Sequence, residues 1–205
     1  MYRLLALVAL APIAAPHQNA PDPSRISEVD AIECRLSVPD YTGFALSVSE
    51  ADGIGQARGW KKIDSANPFL SEYELSQPIT VAGGYRTTRI AFSANAMLAI
   101  LDVADPAEVA RGLGVPNAMD PDPMIADLAR SSGKSYAEVA AGMKFRKFLG
   151  EKIVAEKTEP AADAESFGSR MTVARSISNA TSHPGKTLYG CSYRMEILDK
   201  DGKPL

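Results

Sequence analysis

Two cysteines, Cys34 and Cys191, lie near opposite ends of this 205-residue chain and are its only thiols. A bond between them would make neighbours of the first and last structured segments and close most of the chain into one loop. That demand suits one domain of roughly 185–190 residues once a leader is removed. The bond itself requires an oxidising compartment, and the start of the chain points to one. Arg3 supplies a positive charge, and residues 4–15 form an apolar run too short to cross a bilayer.

Residues 1–20 are therefore expected to be a signal peptide with its cleavage region. Ala14 and Ala15 have the small side chains that cleavage needs, although Pro16 and Pro21 would directly follow cuts after Ala15 and Ala20. A retained anchor or a buried N-terminal helix is the alternative. No cysteine follows the apolar run to carry a lipid. No other stretch reaches membrane-span length, so the mature chain is expected to hold no integral membrane segment. The product is expected to be periplasmic or secreted, with a tether over 21–31 and a single globular domain over 32–205.

Composition leaves room for an ordinary core: hydrophobic residues make up 45% and charged residues 23%. Loss of the leader takes the net charge from -3 to about -4. A mildly acidic domain has no general attraction for nucleic acid or anionic lipid.

Strand signals dominate both ends. Ile32, Cys34, Leu36 and Val38 alternate with polar residues. Tyr189, Cys191, Tyr193, Met195 and Ile197 do the same. Each cysteine is thus expected on the inward face of a strand; two separate buried thiols are the alternative. Further strands are expected over 44–49, 60–64, 72–77, 86–93, 96–103, 153–156, 170–178 and 186–198. The middle reads as helices. Asp105-Pro106-Ala107-Glu108 combines an N-cap, an N1 proline and an N3 acid. Pro121–Pro123 opens a second helix, with Met124, Ile125, Leu128 and Ala129 on one side, and Ser135-Tyr136-Ala137-Glu138 is a capping box for a third. Strands, then helices, then strands imply an α+β fold. It would be a mainly antiparallel β-sheet with a two- to three-helix insertion over about 105–150.

Motifs that carry chemistry are few. Residues 125–142 match a helix-turn-helix at Ile125, Ala129, Gly133 and Val139, with Leu128 as a further core contact, but DNA would have to bind an acidic, exported domain. The Gly53-Ile54-Gly55 segment has Arg58 where a dinucleotide loop needs a third small residue, so it reads as a connection. With His17 in the leader region, His183 is the only imidazole of the domain. It is the weak catalytic candidate of an exported hydrolase, since no GxSxG nucleophile elbow accompanies it.

No metal site and no cofactor are expected, because the histidines and thiols are too few to supply ligands. Glu72 and Glu74 read as an exposed strand face, and Asp199-Lys200-Asp201-Gly202 as a terminal turn. Asn179-Ala180-Thr181 has the form of a glycosylation acceptor. Lys144, Arg146 and Lys147, interleaved with Phe145 and Phe148, form the one basic-aromatic cluster and the weak candidate for partner contact. These readings converge on a non-enzymatic exported module that binds, or plays a structural role for, an unknown envelope or extracellular partner. A hydrolase using His183 comes second and a DNA-binding helix pair third.

Overall fold

The computed structural model describes residues 22–50, 52–119, 121–143, 147–162 and 166–205; the stretch expected to be a signal peptide with its cleavage region falls outside them. A 3-10 turn at Pro23–Arg25 leads into α1 (Glu28–Ile32), α2 (Val38–Ser49) and α3 (Ile54–Ala57). Four strands follow: β1 (Lys61–Ile63), β2 (Ser71–Val81), β3 (Tyr85–Phe92) and β4 (Ala96–Leu101). Then come α4 (Pro106–Leu113), α5 (Asp122–Ser132) and α6 (Tyr136–Gly142), and finally β5 (Leu149–Glu159), β6 (Gly168–Ser178) and β7 (Thr187–Leu198). The strands form one antiparallel sheet in the order β1-β2-β3-β4-β7-β6-β5. Two meanders therefore meet at the β4–β7 pair, and the helical insertion carries the chain from the sheet centre to its far edge. The expected α+β class and the central insertion are both present.

β4 shows why the centre holds. All six of its residues are buried. Its side chains alternate between the faces: Met97, Ala99 and Leu101 join the large core, while Ala96, Leu98 and Ile100 join a smaller cluster on the opposite face. The large core is closed by Ala31, Ile32, Tyr41, Phe44 and Val48 from the first helices and by Val109 and Ala110 from α4. Tyr41 stacks on Tyr193 of β7 at 4.1 Å between ring centroids, and the Tyr193 hydroxyl donates to the Ala31 carbonyl at 2.7 Å. The opposite face is roofed by Leu70 and Ala180, from the loops preceding β2 and β7.

A turn replaces the strand that alternation suggests around Cys34, and a helix replaces the one expected over 44–49. Ser37 caps α2 by accepting from the Asp40 N–H, Pro39 lies in the first turn, and Val38, Tyr41, Phe44 and Val48 fall on one buried helical stripe. The alternation around Cys34 misleads because Ser27 caps α1 through Asp30, and the chain then turns at Cys34 with φ +61°. Cys34 is consequently in a turn, not on a strand. The disulfide nevertheless forms, joining that turn to β7 with Cα atoms 5.2 Å apart.

The stretch expected to be a tether also packs, with Ile26, Ala31 and Ile32 buried. Arg58 provides the reason: its guanidinium donates to Glu28 and to the carbonyls of Ser24 and Ile26. The Gly53-Ile54-Gly55 segment forms α3 in place of an irregular connection. A Cβ on Gly53 would lie 2.1 Å from the Ser47 carbonyl oxygen, so glycine serves close packing there.

The caps of the insertion form as expected. Asp105 caps α4, Gly114 ends it at φ +63°, and Ser135 with Glu138 makes a capping box on α6. Leu128, however, is exposed, as is Met124; Ile125, Ala129 and Val139 alone make the buried heart of the α5–α6 pair. Met195 and Ile197 are exposed too, because β7 runs on past the helices that cover Tyr189, Cys191 and Tyr193.

Candidate functional site

A cleft of about 420 Å³ opens between α2 and the segment 68–71 that enters β2. Its size lies in the usual range for small-molecule sites. Five aromatic rings, Tyr41, Phe69, Tyr73, Phe92 and Tyr193, line it, and none of its lining residues is charged. Leu46, 63% exposed on α2, and Phe69, 83% exposed on the opposite wall, are apolar side chains that also line it.

Local folding explains how Phe69 comes to stand there. Ser65 Oγ accepts from the Asn67 N–H, Asn67 Oδ1 accepts from the Phe69 N–H, and the Asn67 carbonyl accepts from Leu70. This side-chain-braced turn sends Leu70 into the small cluster and leaves Phe69 outside.

Tyr41 is the chemically distinctive lining residue. It is 3% exposed, yet its hydroxyl has no hydrogen-bond partner among the described residues. An orphaned buried hydroxyl is costly to the fold. Burial pushes the Tyr41 hydroxyl far above its ordinary titration range, and burial does the same to Tyr193. Both rings therefore stay neutral, and the cleft suits an uncharged apolar or aromatic group. The sequence reading missed this site because it laid Phe44, Leu46 and Val48 along one strand face. On a helix, Phe44 and Val48 turn inward and Leu46 outward.

His183 is placed differently from a simple turn residue. It is 6% exposed, with Nδ1 2.9 Å from Ser182 Oγ and Nε2 2.9 Å from Glu72 Oε1. Glu72, expected on an exposed face, is 1% exposed. It also accepts from Ser65 and from Arg89, each at 2.5 Å. Burial pushes its carboxyl up, but the bonds from Ser65, Arg89 and His183 outweigh that and hold it below the ordinary range. Ser182 lines a separate recess of about 400 Å³ with Phe69, Lys147 and Thr181.

Of the basic-aromatic cluster, Lys144 and Arg146 fall outside the described residues. Lys147 donates to the Asn179 carbonyl at 2.9 Å, and Phe148 is buried. Asn179 is buried as well, its Oδ1 accepting from the Phe148 N–H at 2.8 Å, so the acceptor motif is closed to a glycosyltransferase in the folded chain. The α5–α6 pair exists, but its second helix has Glu138 as its only charged residue and offers no cation to a phosphate. Among the described residues no group of three or more His, Cys, Asp or Glu side chains could hold a metal, and no helix is long and apolar enough to cross a membrane. No family model, curated protein or solved structure matches the chain.

Proposed function

We propose that this chain is an exported, non-enzymatic binding module, periplasmic or extracellular, whose ligand places an uncharged apolar or aromatic group in the α2 cleft. The observation that carries the reading is an aromatic cleft with no charged residue in its lining. The Cys34–Cys191 bridge supports the compartment, since such a bond persists where thiols are oxidised.

N-phenyl-1-naphthylamine, a neutral aromatic dye with one N–H, is a suitable probe. Its fluorescence is expected to rise saturably with the wild-type protein, and Leu46→Glu is expected to abolish the rise without lowering the melting temperature. Tyr41→Phe should stabilise the protein by about 1 kcal/mol in denaturant unfolding, the signature of removing an unsatisfied hydroxyl. Absence of saturable binding, or full binding by Leu46→Glu, overturns the reading.

A second reading rests on the Ser182–His183–Glu72 chain of contacts. Serine and carboxylate occupy the imidazole nitrogens in the reverse order to a standard triad, with Ser182 on Nδ1. As a hydrolase, the protein would use Ser182 as nucleophile from the recess it lines. Turnover of p-nitrophenyl butyrate would then fall at least about a hundredfold in Ser182→Ala, given the usual scale of losing a triad member. Turnover no faster than buffer, or equal in both proteins, removes that reading.

A further inference from the structure

The α2 cleft adjoins a second recess, of about 550 Å³, at the β1 edge of the sheet. The two share Val48, Ser49 and Tyr73 as a common wall. What changes across that wall is charge. The cleft has none, whereas the second recess is lined by Lys61, Lys62 and Glu50.

Lys62 is the cation on the cleft side. It lies directly opposite Tyr73 in the antiparallel β1–β2 pair, and directly opposed residues project from the same face of a sheet. Lys61 is opposite Glu74 and projects from the other face. Neither lysine has an ion-pair partner among the described residues, in contrast to Arg58, which is bound to Glu28. An unpaired ammonium next to a neutral aromatic cleft is complementary to a molecule with two unlike ends. We infer that the ligand is an amphiphilic carboxylate: its uncharged hydrocarbon or aromatic body occupies the Tyr41 cleft, and its carboxylate meets Lys62. This assignment rests on the binding reading above and adds the anionic head to it.

The experiment is displacement of N-phenyl-1-naphthylamine by decanoate, 1-decanol and decyltrimethylammonium, each below its micellar concentration. Decanoate is expected to displace the dye at about fivefold lower concentration than 1-decanol, the scale of one solvent-accessible ion pair. The cationic amphiphile is expected to be the weakest of the three. Lys62→Gln should reduce decanoate to the level of the alcohol, with dye affinity and melting temperature unchanged, and added salt should shrink the wild-type preference. If the dye binds but decanoate is no better than 1-decanol, or if Lys62→Gln keeps the preference, the anionic-head assignment is overturned and the cleft stands. If folded protein fails to bind the dye, the cleft reading falls and this assignment with it.

Discussion

Replacing Cys34 and Cys191 together by alanine is expected to lower the unfolding free energy by about 5 kcal/mol, the chain-entropy value for so long a loop. The bridge spans a sequence separation of 157 and so restricts nearly the whole unfolded domain. Its effect in the native state is local. α1 and the turn after it rest on the sheet through the disulfide, the Tyr193–Ala31 bond and the Glu33 carboxylate. That carboxylate accepts from the Ala82 N–H and the Tyr189 hydroxyl and pairs with Arg175. Hydrogen exchange in the double variant should therefore rise first over 28–49, with β6 and β7 protected to higher denaturant. Reductant should reproduce both effects in the wild type. Native protein whose two sulfurs alkylate without reductant, or a double variant that melts with the wild type, contradicts this account.

The same segment marks where sequence patterns lose information. Ile32, Cys34, Leu36 and Val38 alternate, and alternation is the signal for a half-buried strand. Two capping signals compete with it: Ser27 with Asp30, and Ser37 with Asp40 around Pro39. Capping prevailed because Tyr41, Phe44 and Val48 bury together only at helical spacing. The cleft was lost with the helix, since its wall needs Leu46 outside and Tyr41 inside. In the insertion, by contrast, Asp105, Pro106, Gly114 and Ser135 each do what their local chemistry dictates, and nothing tertiary opposes them. The disulfide was legible for a different reason. Two thiols in an oxidising compartment have only each other, whatever secondary structure carries them. Long-range placements were beyond local pattern: Glu72 meets His183 across a sequence distance of 111 residues.

That buried contact gives the second large effect. Glu72→Leu is expected to destabilise the fold by about 3 kcal/mol, because it leaves His183 and Arg89 facing an apolar side chain. The value sits at the low end for breaking a buried pair, since 37% of the Arg89 side chain remains in solvent. Glu72→Gln retains an acceptor for Arg89 or Ser65 and should lose less. Its use is to remove the titration. The folded Glu72 carboxyl is held below its ordinary value of 4.5, so its ionised form stabilises the fold at pH above that value. The contribution is lost as pH falls through the depressed folded value, where the folded chain must take up the proton as well. The difference in melting temperature between wild type and Glu72→Gln should accordingly shrink on acidification below about pH 4.5. Parallel melting curves through that range would mean that the carboxylate contributes no more to the fold ionised than protonated.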